Sequence, residues 1–384
     1  VGINLPHLFV ELPSVRRYLN SRMKTRPTVI SIVGARPQFI KLAPLAPVLA
    51  GRFNHLILHT GQHYDREMSE VFFKQLHIPK ANRNLNIGGG GHGAMTGAML
   101  AAIEKYLLQT RPDFVLIYGD TNSTLAGAVA AAKLSVPVGH VEAGMRSFVK
   151  DMPEEINRRL SDHASDLLFC PTAAAVKNLK AEGIKKNLIR SGDLMFELLH
   201  RRRATIKKNN RPLKKHGLQP GQYLFMTVHR AANVDCRDNL EKLLAIIEQA
   251  PLPILLPLHP RTRARLGRFR LLKRLERCDR VVLERPMSYL DTLTAAACAQ
   301  AVLTDSGGLQ KEALFLGTPV LTLRDETEWV ETLHQGNRLV GLDPDKILRS
   351  LRRLPKVPRI SYRINGKAPS TIITSSIDRY LSGK

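Results

Sequence analysis

Short apolar runs rich in β-branched residues recur along the chain, each followed by a longer segment with the spacing of an amphipathic helix. The runs at 29–33, 56–59, 114–118, 136–141 and 167–170 read as strands, and so do those at 223–228, 254–258, 280–283, 301–304 and 320–323. Helical stretches such as "LAGAVAAAKL" and "NLEKLLAIIEQA" lie between them. Strands that are apolar throughout are covered on both faces, so the alternation predicts parallel sheets flanked by helices. The fold class is therefore α/β: two doubly wound, Rossmann-like domains facing a central cleft. A Lys/Arg/Asn-rich segment at 201–216 separates the two series and places the domain boundary near 191–215. The expected division is an N-terminal extension over 1–27, a first domain over 28–195 and a second over 196–368.

Composition changes this picture little. A chain of 384 residues can bury two separate cores. Cys170, Cys236, Cys278 and Cys298 are scattered without a C-x-x-C pair. That spacing argues against a disulfide framework or a structural zinc site and fits a cytoplasmic protein. No apolar run reaches the roughly 18 residues of a membrane span. The first 22 residues, broken by Pro6, Glu11 and Pro13, lack the continuous core of a signal peptide and read as an extension ahead of Met23. Charge is the unusual property: the formal net value is +25, concentrated at 201–216 and 261–280. Nucleic-acid binding would call for aromatic residues interleaved with those cations, and neither run has that pattern. A solvated basic face is the expected reading, with steering of an anionic substrate as a secondary effect.

The chemistry is concentrated just beyond the strands, where open α/β sheets bind ligands. The strand exits carry Gly34-Ala35-Arg36, Gly61-Gln62-His63, Gly119-Asp120, Glu142, His229-Arg230, His259, Ser306-Gly307-Gly308 and Arg324-Asp325. Cations suit an anionic ligand; carboxylates suit proton transfer. Glu142 ends an almost wholly apolar strand, where a carboxylate is costly unless paired or working. Asp120 has a plainer alternative as a helix N-cap, and Glu154 and Glu155 as acids in a first turn after Pro153. In "LTDSGGLQKEA", Ser306, Gly307 and Gly308 form a side-chain-poor turn entering a helix, suited to phosphate. Glu312, one turn on, is placed to accept both hydroxyls of a ribose, so the pattern points to a nucleoside diphosphate. "GGGGHG" at 88–93 satisfies G-x-G-x-x-G formally, but polar "NRNLN" precedes it where a strand is required. There is no Walker A sequence and no H-E-x-x-H.

Taken in order, "GARPQFIKLAPL", "GDTNSTLA", "HVEAGMRS", "PEEINRR", "TVHRAAN", "LTDSGGLQKEA" and "LRDETE" closely resemble the non-hydrolysing UDP-N-acetylglucosamine 2-epimerase family. The resemblance runs from about Thr28 to the C-terminus. It implies a glycosyltransferase-B-type fold and interconversion of UDP-GlcNAc and UDP-ManNAc by elimination of UDP to a 2-acetamidoglucal and re-addition. No cofactor or metal is implied. Asp120, Glu142 and Glu154 would be acid/base carboxylates, with Lys41 and His229 beside them in catalysis. Arg36, Arg146, His229, Arg230, Ser306, Gly307 and Gly308 would bind UDP and its diphosphate, and Glu312 the ribose. Gln62, His63 and His259 would form a regulatory site. A homodimer is implied, as is a C-terminal helix at 369–384 packing back on the first domain.

The chain departs from the family pattern in three places. His229-Arg230-Ala231-Ala232-Asn233 lacks the acid of H-R-x-E-N. Thr327-Glu328-Trp329-Val330-Glu331 replaces the arginine of T-E-R-P-E by Trp329, and "TGQHYDREM" is longer than Q-H-R-x-M. The Trp329 change leaves room for a related sugar such as a diacetamido-glucuronate. A glycosyltransferase of the same fold and a hydrolysing epimerase are the rival enzymes.

Overall fold

The computed structural model describes residues 26–62, 72–358 and 363–383. Residues 1–25 of the N-terminal extension, and His63, lie outside them.

The first sheet comprises β1 (Thr28–Val33), β2 (Asn54–His59), β3 (Arg83–Asn84), β4 (Phe114–Tyr118), β5 (Val138–Val141), β6 (Leu167–Cys170) and β7 (Leu188–Arg190). All pairs are parallel, in the order β3-β2-β1-β4-β5-β6-β7. The second comprises β8 (Leu224–Thr227), β9 (Ile254–Pro257), β10 (Val281–Glu284), β11 (Ala301–Thr304), β12 (Val320–Thr322) and β13 (Asn337–Leu339). It too is parallel, ordered β10-β9-β8-β11-β12-β13. Both sheets are doubly wound, and apolar clusters fill the space between strands and helices. In each sheet the chain reverses its direction of travel beside its first strand, at β1/β4 and at β8/β11. Those two switch points are where such sheets open a crevice for ligands.

The strands that the hydrophobic pattern omits are β3, β7 and β13, each at the edge of its sheet. They have only two or three residues and are polar or partly exposed. No apolar run is needed where one side of a strand faces no neighbour.

The helix Pro369–Leu381 lies against the first domain, with Ile373 and Ile377 in the same cluster as Leu42, Leu45 and Leu49 of helix Arg36–Arg52. Arg52 donates two hydrogen bonds to Asp378, at 2.9 and 2.6 Å. Among the described residues no helix is long and apolar enough to cross a membrane.

Candidate active site

Lys41 and the exits of β4 and β5 form one side of the cleft. Glu142 follows β5 in a left-handed conformation, φ 73°, which a non-glycine residue adopts only when its surroundings impose it. Its N–H and that of Ala143 both donate to the Phe169 carbonyl at 3.1 Å, which fixes the turn. Lys41, on the inner face of helix Arg36–Arg52, places Nζ 2.9 Å from Glu142 Oε1. Lys311 Nζ, from the second domain, is 3.6 Å from Oε2. Burial opposes the charge on Lys41, but Glu142, Asp120 and Asp193 outweigh it and hold the ammonium above its ordinary range.

Asp120 is not the cap of helix Asn122–Lys133: Thr121 takes that position and accepts from the Thr124 N–H. The Asp120 carboxylate is instead ion-paired with Arg158. Asn157 donates to the Asp120 carbonyl at 3.0 Å, so helix Pro153–His163 holds the loop by backbone and side chain together. That helix turns Glu155, Arg158 and Asp162 inward at i, i+3 and i+7, leaving Glu154 exposed in the first turn. Arg146 corrects an expectation. Its guanidinium is fully shielded, bound to Asp162 and Glu182 at 2.7 Å each, and so braces the loop rather than facing a ligand.

The second domain supplies a different kind of surface. Asp305, fully buried after β11, accepts the N–H groups of His229 at 2.9 Å and Arg230 at 2.8 Å. The His229 imidazole Nδ1 is 3.2 Å from the other Asp305 oxygen, which orients the ring. Burial works against ionised Asp305, but these donors keep its carboxyl below the usual range. Ser306 caps helix Gly307–Leu316 by accepting from Leu309. A Cβ at Gly307 would lie 2.4 Å from Glu328 Oε1, so any side chain there must displace the Glu328 carboxylate; at Gly308 the nearest atoms are 3.9 Å away. The turn thus offers bare backbone at a helix N-terminus, the arrangement that receives a phosphate.

Glu312 is buried and accepts a 2.7 Å hydrogen bond from the Tyr289 hydroxyl. Burial raises its pKa despite Tyr289, Lys311 and Arg36 nearby. Arg36 belongs to the first domain, yet its guanidinium stacks 4.5 Å from the Phe72 centroid and feels Glu312 and Tyr289 of the second. Burial pulls its pKa down. His259 caps helix Pro260–Arg268, and its ring is 5.1 Å from that of His229. Gln62 accepts from Ser123 N–H and Oγ at 3.0 and 2.7 Å.

A family model described as UDP-N-acetylglucosamine 2-epimerase matches residues 49–369. The chain belongs to the UDP-N-acetylglucosamine 2-epimerase family. A UDP-N-acetylglucosamine 2-epimerase homolog of Methanococcus maripaludis is 47% identical over 347 residues, 90% of this chain and 97% of that protein. The UDP-2,3-diacetamido-2,3-dideoxy-D-glucuronate 2-epimerase of Pseudomonas aeruginosa is 46% identical over 84% of this chain and 91% of its own length. The crystal structure of Methanocaldococcus jannaschii UDP-GlcNAc 2-epimerase in complex with UDP-GlcNAc and UDP superposes with a TM-score of 0.84 at 39% identity, covering 93% of this chain and all of that one. These likenesses establish a glycosyltransferase-B-type epimerase fold, and the named relatives are isomerases.

Motif reading alone passes over Arg158, Lys311, Asp193 and Tyr289, although each contacts or neighbours a carboxylate of this epimerase's cleft. One signal is present in the sequence: Glu155, Arg158 and Asp162 repeat at helical spacing with alternating charge, a polar stripe on a helix that must bury one face.

Proposed function

We propose that this enzyme inverts C2 of UDP-N-acetylglucosamine to give UDP-N-acetylmannosamine. The supporting observation is the division of the cleft. Glu142 and Asp120, each paired with a cation, stand at strand exits of one domain. The Ser306–Gly308 turn, His229 and buried Glu312 occupy the other. A carboxylate takes the C2 proton while the C1–O bond to UDP breaks, and the electron pair of the C–H bond becomes the C1=C2 bond of a 2-acetamidoglucal. UDP leaves with the C1–O electron pair. Arg36, His229, Arg230 and the backbone of the turn stabilise the charge gathering on its diphosphate. A proton then reaches C2 from the opposite face, and the diphosphate oxygen re-adds at C1. Inversion requires proton transfer on two faces, which accounts for more than one carboxylate. Glu154, exposed at the start of its helix, is the third candidate.

One observation favours a second substrate, the UDP-2,3-diacetamido-glucuronate of the Pseudomonas relative. That relative is 46% identical, between 47% for the UDP-N-acetylglucosamine 2-epimerase homolog and 41% and 43% for two archaeal relatives named UDP-N-acetylglucosamine 2-epimerase. Turnover of both UDP-sugars by the same preparation tests the assignment. Higher kcat/KM for UDP-GlcNAc supports the proposal, and turnover of the uronate alone transfers it to the second reading. We also infer a cytoplasmic homodimer. Four unpaired cysteines fit a reducing compartment, and exposed Phe148, Ile156 and Leu160 offer apolar surface to a second copy. Light scattering showing a monomer would contradict the dimer.

A further inference from the structure

We propose that Lys311 and Trp329 form a latch across the cleft that positions Glu142; this rests on the reading of Glu142 as an acid/base carboxylate. Three observations carry it. Lys311, on helix Gly307–Leu316 of the second domain, is almost wholly buried yet reaches into the first domain, 2.8 Å from Asp193 and 3.6 Å from Glu142. Its ammonium sits 3.2 Å from the Trp329 ring centroid, within the range of a cation–π contact. Trp329 follows β12 in the second domain, yet its side chain packs in a first-domain cluster with Ala143, Met145, Leu168, Cys170, Ala175 and Leu179.

Ala143 and Met145 belong to the turn that carries Glu142. The indole therefore presses on that turn and at the same time gives Lys311 its seat. Glu142 is held on one oxygen by Lys41 of its own domain and on the other by Lys311 of the opposite domain. The charged groups in this cluster are Lys41, Lys311, Asp120 and Asp193. An arginine at 329 would put a second cation where the indole now packs among apolar side chains, so the residue that departs from the family pattern is the one that completes the latch. Lys311 is thus a positioning residue, acting through Glu142 and requiring no contact with the sugar.

Steady-state kinetics and quenching test this. Lys311→Met is expected to lower kcat roughly 10–100-fold, the scale of a displaced catalytic group, with a smaller loss of UDP affinity because Lys311 also favours ionised Glu312. Since Lys311→Met strands Asp193, the double variant Lys311→Met/Asp193→Asn is measured beside it; Asn retains the cap that Asp193 provides to helix Leu194–Lys208. Trp329→Ala should match Lys311→Met, whereas Trp329→Phe, which keeps an aromatic seat, should recover most of kcat. Wild-type kcat in the folded double variant would overturn the positioning role, as would equal losses in Trp329→Phe and Trp329→Ala. Trp329 is the chain's single tryptophan, so acrylamide quenching of the UDP-saturated protein reads the latch alone. Weak quenching is expected; quenching like that of free indole with UDP bound would show that no latch forms. Failure of the wild-type enzyme to exchange hydrogen at C2 would reject the epimerase reading, and quenching would still decide the latch.

Discussion

The two sides of the cleft are built on the same strand order but solve different problems. The first domain brings charged side chains together: Glu142 on Lys41, Asp120 on Arg158, Arg146 between Asp162 and Glu182. The second uses backbone as much as side chains: a capped glycine turn and an aspartate that accepts two successive N–H groups. A side rich in paired titratable groups suits proton transfer, and a side of fixed dipoles suits holding a diphosphate whose charge grows as it leaves. Substitutions on the two sides should therefore separate turnover from binding.

The largest effect should come from Glu142→Gln and Asp120→Asn. Each should cut turnover about 10²–10⁴-fold, as loss of general acid/base catalysis does, with UDP affinity by calorimetry little changed. Near-normal turnover in either variant removes that residue from proton transfer. On the other side, Glu312→Ala should weaken UDP binding by about 1.5–3 kcal/mol, the value of hydrogen bonds to a charged group, with a smaller loss of kcat at saturation. Unchanged affinity would break the ribose assignment. Gly307→Ala should weaken UDP binding roughly tenfold, about 1.4 kcal/mol, because the new methyl crowds the bare backbone that receives the phosphate and displaces the Glu328 carboxylate; an undisturbed affinity would mean that the phosphate rests elsewhere.

The smallest effects are in pH. Burial holds the Glu312 pKa above 4.5, and its ionised form is the better acceptor for ribose hydroxyls. UDP binding then lowers that pKa and releases a proton, so affinity should fall as pH drops through the raised free-enzyme value. Glu312→Gln should abolish the slope. Lys41 behaves in the opposite sense. Its folded pKa lies above 10.5, so its contribution to stability is complete below that pH and is lost as pH rises through the folded value. Thermal unfolding followed across alkaline pH should show a loss in wild type that Lys41→Met lacks.

How much of this is readable in the sequence follows from the range of each interaction. Continuous apolar strands announce themselves, and the bounds of β4, β6 and β11 coincide with their hydrophobic runs. The edge strands β3, β7 and β13 escape because two or three partly exposed residues leave no pattern. Positions at strand exits are readable for the same reason as the strands: a polar residue ends each run. Partnerships are not. Lys311 meets Asp193 118 positions away, and no local spacing encodes that pairing. Arg146 shows the converse, since its place in "HVEAGMRS" looks like a ligand contact until Asp162 and Glu182 are seen to enclose it. Trp329 is visible in sequence only as a departure, and its packing supplies the meaning.

The most direct test of C2 inversion through a 2-acetamidoglucal is proton NMR of the purified enzyme with UDP-GlcNAc in D₂O. UDP-ManNAc carrying deuterium at C2 is expected, with the same label appearing in recovered UDP-GlcNAc. Release of UDP with free ManNAc, or no exchange at C2 by enzyme shown to bind UDP, would contradict it.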